Sequence, residues 1–164
     1  MVGRRGLRPG LCACGAVAVQ SGPGGLQVAD RISRVDYYSA TVPDKPGEAA
    51  RILTALEQAG VNLVALSGFP EGRKAQLDFV AADGQAFVKV AKAAGLQPGK
   101  KKTAFLVQAE DRVGAVAAIA RKLAETGINI TSMQAICAGE NRYGGLLWVK
   151  PEDVRKAAKV LEAK

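Results

Sequence analysis

From residue 35 onward, apolar positions recur with two alternating periods, and each stretch predicts one element. VDYYSATV (35–42) and TAFLVQA (103–109) are β-branched and aromatic runs that read as strands. Ala49, Ile52, Leu53 and Leu56 then form a stripe at helical spacing, and Val116, Ile119, Ala120 and Leu123 repeat it. Gly60 and Gly127 stand where a helix stops on a left-handed residue. VNLVAL (61–66) and INITSM (128–133) read as second strands. Turns around 68–72 and 138–141 lead to third strands, KAQLDFVA (74–81) and YGGLLWVK (143–150). Second helices follow at Gly84–Ala94 and Pro151–Ala163, and a closing strand for the first half is expected around Leu96–Lys102.

The two halves are copies. At an offset of 67, DKPGEAARILTALEQAGVNL (44–63) aligns with DRVGAVAAIARKLAETGINI (111–130), and seven of the twenty positions are identical. Composition alone would give about one or two matches, so the chain carries an internal duplication. Strand, helix, strand, strand, helix is the split βαβ order. The predicted fold is α+β: two tandem ferredoxin-like βαββαβ units, with antiparallel sheets and helices on one face. The expected division is an extension at 1–33, a first unit at 34–102 and a second at 103–164. The second unit ends on its helix, and Gly25-Leu26-Gln27 resembles Gly95-Leu96-Gln97, each ahead of a first strand. Residues 26–34 are therefore expected to supply the second unit's missing edge, within the chain or across a dimer.

Composition narrows the chemistry. The 164 residues are 48% hydrophobic, which suits one ordinary domain or two small ones. Leu11–Val19, the longest uncharged apolar run, is far short of a membrane span. Histidine is absent, which removes the usual general base and the commonest metal ligand. Cys12 and Cys14, with Cys137 far away, do not make a zinc site. No catalytic residue, metal ligand or cofactor motif is visible, so the chain is not expected to be an enzyme. The few, odd-numbered cysteines suggest a reducing, cytoplasmic setting. Cys137 reads as a small apolar residue and Trp148 as a packing anchor beneath a helix.

The net charge of +8 invites a nucleic-acid reading. Five arginines and one aspartate fall in residues 1–34, and Lys100-Lys101-Lys102 supply three of the remaining excess charges. The lysine run reads as a solvated linker or strand end, so neither a nucleic-acid nor a membrane partner is expected. Arg4-Arg5 ahead of an apolar stretch has the outline of an export signal. Its apolar core before Ala16-Val17-Ala18 is only about five residues against the usual 7–15, and residues 1–33 are read as a disordered or non-native extension.

The split βαβ fold hosts many functions. The paired aromatics of an RNA-recognition domain, the C-x-x-C loop of a metallochaperone and the anion loop of an acylphosphatase are all missing. What remains is Asp44-Lys45-Pro46-Gly47 with Gly60-Val61-Asn62-Leu63, and Asp111-Arg112-Val113-Gly114 with Gly127-Ile128-Asn129-Ile130. Strand, D-x-x-G, helix, then G-[VI]-N resembles the ACT domain, the amino-acid-sensing module of regulated metabolic enzymes, here as a free-standing tandem pair. The resemblance implies an amino acid bound beside the loop between first strand and first helix, at an interface between ACT units.

The candidate ligand-binding residues are Asp44, Pro46, Gly47, Asn62, Asp111, Gly114 and Asn129. Gly47 and Gly114 would let a carboxylate approach a helix N-terminus. Asn62 and Asn129 can both donate and accept, and the resemblance implies that they face the ligand across the interface. Asp44 and Asp111 read first as helix caps, with ammonium pairing as their second role. Pro46 makes the first loop the stiffer one, so the first site is expected to be the better occupied. The alternative is a ligand-free interaction module, or a regulatory subunit of an amino-acid metabolic enzyme. Expected partners are a small amino acid and either a second copy of the chain or that enzyme.

Overall fold

Residues 30–164 are described by a computed structural model; the expected extension and edge strand lie, as far as residue 29, outside the described residues. Element order follows the duplication: β1 (Arg31–Pro43), α1 (Glu48–Gln58), β2 (Leu63–Glu71), β3 (Lys74–Ala81), α2 (Gly84–Ala93), β4 (Lys102–Glu110), α3 (Ala115–Glu125), β5 (Ile130–Gly139), β6 (Arg142–Val149) and α4 (Val154–Val160), the last preceded by a 3-10 turn at Pro151–Asp153. The strands form one antiparallel sheet in the order β2-β3-β1-β4-β6-β5.

The long first strand joins the units. Its C-terminal half pairs with β3 from Tyr38↔Phe79 to Pro43↔Lys74. Its N-terminal half pairs with β4 from Arg31↔Gln108 to Tyr37↔Lys102. Residues 31–34 of the expected edge segment thus do lie beside the second unit's first strand, as the leading end of β1. On the opposite edge of that half, the Lys164 N–H donates to the Ile32 carbonyl (3.1 Å) and the Arg34 N–H donates to the Lys164 carbonyl (2.8 Å).

The closing strand expected at Leu96–Lys102 does not form. Residues 96–101 run beside β1 with a single backbone bond, Gly99 N–H to Ser39 carbonyl at 2.8 Å. Pro98 has no N–H to donate. Strand geometry begins at Lys102, already the start of β4.

Helix ends obey local chemistry more closely than helix starts do. At α1, the Gly60 N–H donates to Glu57 and the Val61 N–H to Leu56 (both 2.9 Å), with Gly60 at φ 68°. This paired closure recurs after α2 and α3 with Gly95 and Gly127 in the left-handed position. At the starts, neither Asp44 nor Asp111 caps its helix. Gly47 (φ 93°) and Gly114 (φ 84°) hold the cap positions, and no side chain accepts from either first turn. The hairpins are also tighter than expected. They turn on Gly72-Arg73 and Glu140-Asn141, so β2 and β5 run on to Glu71 and Gly139.

Alternation along the strands builds three cores. Tyr38, Phe79, Phe87, Ile52 and Leu56 fill the space between the first unit's strands and α1 and α2, with the Phe79 and Phe87 rings 5.0 Å apart. Phe105, Val107, Ile119, Leu123 and Leu147 do the same under α3 and α4. The third core lies on the helix-free faces, where Val80, Ala104, Leu146 and Trp148 pack together with Val35 and Tyr37. Trp148 therefore anchors the contact between half-sheets and does not lie beneath a helix.

Closure of the sheet follows from that third core. The outermost strands of a flat six-stranded sheet would lie about 24 Å apart. Here the Ser67 hydroxyl on β2 donates to the Gln134 side-chain oxygen on β5 at 2.7 Å, so the sheet curls until its two edges meet. Ser67 and Gln134 are 67 residues apart, the repeat offset, and so occupy matching positions of the two units. In a double-mutant cycle of Ser67→Ala and Gln134→Ala by urea unfolding, we expect a coupling of about 1 kcal/mol. A coupling indistinguishable from zero would mean that the edges do not meet.

Candidate functional site

Each D-x-x-G loop is fixed from behind by its unit's hairpin. The Asp44 N–H donates to the Arg73 carbonyl (3.3 Å) and the Asp111 N–H donates to the Asn141 carbonyl (2.7 Å). Both aspartates remain exposed, as do Pro46, Gly47 and Gly114. Asn62 and Asn129 are exposed too, but each sits beyond the far end of its helix. Eleven helical residues separate loop from asparagine in each unit, a span of about 16 Å. The two halves of each expected site are therefore not brought together within a unit. The Asn62 carbonyl has a structural partner instead, the Ala82 N–H at 3.0 Å.

The loops differ where the first was expected to be favoured. Asp111 and Gly114 line a cavity of about 400 Å³ together with Arg112, the first turn of α3 (Ala115–Ala117), the β5 edge (Ala135–Cys137) and Tyr143. None of the cavities described here takes in Asp44, Pro46 or Gly47. The loops also differ in the first helical turn. Glu48 opens α1 with its own carboxylate, bound to Arg51 at 3.0 Å, and a carboxylate there already complements the helix N-terminus. The matching residue of α3 is Ala115, and no acidic side chain lies in that turn. Both helix starts lack a side-chain cap, and the second also lacks an acidic residue in its first turn.

Apolar groups frame this cavity in the open. Ile136 is 72% exposed on β5 and Val113 is fully exposed in the loop. Cys137, expected to pack as a small apolar residue, is exposed on the same strand. Tyr143, Ala135 and Ile136 went unnoticed at the level of sequence because β5 and β6 join the loop only through tertiary pairing. Their one signal was the apolar alternation of β5. Among the described residues no group of His, Cys, Asp and Glu could hold a metal ion, and no helix is long and apolar enough to cross a membrane.

Comparison with known proteins agrees with the fold. The ACT domain family model matches residues 39–94 and again 103–163, and the chain belongs to that family. Among solved structures, protein BT0572 from Bacteroides thetaiotaomicron is similar, with a TM-score of 0.70 at 19% identity over 80% of this chain and 88% of that one. The regulatory subunit of aspartate kinase from Thermus thermophilus, in its ligand-free form, gives 0.57 at 17% identity over 81% and 94%. That from Thermus flavus gives 0.56 at 19% identity over 82% and 94%. At these identities the likeness shows the fold. A search of curated proteins finds no match.

Burial beside the cavity holds the Tyr143 phenol above its ordinary value of 10.0; Asp30 and Asp111 add to the rise and Arg112 opposes it. The folded state keeps a proton that the unfolded chain gives up near pH 10. Stability present below that pH is therefore lost as pH rises through the raised value. We expect Tyr143→Phe to flatten the fall in stability above pH 10 in a denaturation series. Part of the fall will persist through Tyr37, whose phenol burial also raises.

Proposed function

We propose that this chain is a non-catalytic regulatory protein that binds a small amino acid at the Asp111–Gly114 loop. One observation carries the reading: the α3 N-terminus has neither a side-chain cap nor an acidic residue, and it opens into a cavity that also holds Asp111. The ligand's carboxylate would meet the N–H groups of Val116 and Ala117, where the helix dipole favours negative charge. Its ammonium would meet the Asp111 carboxylate. Its side chain would lie toward Ala135, Ile136 and Tyr143.

Binding there would regulate by completing an interface. Ile136 and Val113 leave apolar surface beside the ligand, and a second ACT unit from another copy of the chain would cover both. Ligand and partner would then favour the same assembled state, and each would strengthen the other's binding. The fold shared with the regulatory subunits of aspartate kinase supports a metabolic enzyme as the reader of that state. The sparse cysteines favour a reducing cytoplasm.

A thermal-shift series with the twenty amino acids tests the proposal. At ten times its dissociation constant a true ligand stabilises by about 1.4 kcal/mol, which raises Tm by about 3–6 °C. Asp111→Asn should remove the shift, and Asp44→Asn should leave it intact. If no amino acid moves Tm, the sensing role is lost and the ligand-free interaction role takes its place.

A further inference from the structure

Among the described residues, the excess of positive over negative charge collects in one groove. Between the two half-sheets lies a space of about 900 Å³, lined by Arg34, Lys100, Lys101, Lys102, Lys150 and Arg155. Asp78 is the one carboxylate in the lining. Residues 30–164 contain twenty basic and fifteen acidic side chains. Set aside the groove's six cations and its aspartate, and fourteen of each sign remain, which cancel. The whole excess of the described residues, five positive charges, therefore belongs to this groove.

Little inside the fold offsets that charge. Asp78 is buried, with the Gln76 amide donating to it at 3.0 Å. Among the described residues only Lys101, of the six cations, has an ion-pair partner: Asp36 at 2.9 Å, which lines a neighbouring cavity. Lys102 sits over the Tyr37 ring, 5.8 Å from its centre. Like charges gathered around a cleft with low-dielectric walls raise the local concentration of anions and repel one another until an anion arrives. The lysine run, expected to be a solvated linker or strand end, is exposed and its last residue opens β4.

We propose that this groove binds a small polyanion, a molecule of nucleotide size that carries two or more phosphates. The volume is that of a small-molecule site. Thr103, Thr131 and Ser132 add hydroxyl donors, and Phe69, 38% exposed, offers an apolar wall. A nucleic-acid strand fits less well. Strand binders display aromatic faces on which successive bases stack, whereas Tyr37 and Trp148 are packed edge to face against each other, 6.1 Å between centres. The groove shares no lining residue with the Asp111 cavity, so it is a second, independent site.

Trp148 is the chain's only tryptophan and lines the groove, so its fluorescence reports directly. The full chain is titrated with sodium tripolyphosphate, and with ATP by calorimetry, which also reads tripolyphosphate if the fluorescence is silent. We expect saturable binding at one site per chain, weakening about tenfold or more between about 50 and 200 mM salt. The triple variant Lys100→Ala/Lys102→Ala/Arg155→Ala should lose about tenfold or more in affinity. Lys89→Ala/Lys92→Ala/Lys159→Ala, which removes the same charge outside the groove, should stay within about twofold of the parent. Three results would overturn the proposal: no saturable binding of either polyanion, equal losses in the two triple variants, or binding of a single-stranded oligonucleotide without binding of tripolyphosphate or ATP.

Discussion

Both units depend on backbone hydrogen bonds along one strand. Of the thirteen residues of β1, seven pair with the second unit's first strand and six with the first unit's third strand. In a split βαβ unit the position beside the first strand belongs to a fourth strand, and here neither unit fills it from its own C-terminal end. The leading half of β1 occupies it for the second unit, while beside the trailing half residues 96–101 run with one backbone bond, Gly99 N–H to the Ser39 carbonyl. An unpaired edge exposes a row of amide and carbonyl groups that seek another chain. Pairing with the leading half of β1 covers that edge of β4. The consequence is an interlock in which neither duplicated half has a complete sheet alone.

A shared strand with helices on the outer side of both halves leaves two helix-free faces joined by one backbone. Curling brings those faces together, and Val80, Ala104, Leu146 and Trp148 become a core between half-sheets. The seam is not equally apolar along its length. Through the pairing of the hairpins, Asp78 and Gln76 of β3 match Leu146 and Gly144 of β6, so one unit presents polar groups where the other presents carbon and bare backbone. Where the polar end meets Lys100–Lys102 the faces part, and the cationic groove lies in that opening.

Much of this was legible because it is local. The 67-residue repeat, the stripes Ile52/Leu56 and Ile119/Leu123, and the glycines at 60 and 127 are set by neighbours a few residues away, and each lies where its pattern put it. The errors share a different cause. Asp44 and Asp111 resemble caps by spacing, yet the hairpin carbonyls of Arg73 and Asn141 hold their backbone, and the glycines turn the chain into the helix. Leu96–Lys102 was expected as a strand only because the split βαβ order leaves room for one, but Pro98 has no N–H to donate and strand pairing begins at Lys102. Lys100–Lys102 is solvated and ends in β4, as its pattern allowed, but its neighbours in the groove, Arg34, Lys150 and Arg155, are distant in sequence and could not be read from it. Hydrogen-bond competition and long-range closure leave no mark on a local pattern.

The same duplication that made the fold readable concealed the difference between the loops. Two D-x-x-G motifs at a fixed offset suggest two equal sites, and the proline at position 46 favours the first. Position 48 argues the reverse. A glutamate there supplies the negative charge that an uncapped helix end attracts, and Arg51 holds it by ion pair. The copy has Ala115, whose methyl group is buried in the second core and satisfies nothing electrostatic. The first turn of α1 thus carries a carboxylate and that of α3 carries none. Three changed side chains, Lys45 to Arg112, Pro46 to Val113 and Glu48 to Ala115, distinguish two loops of matching backbone.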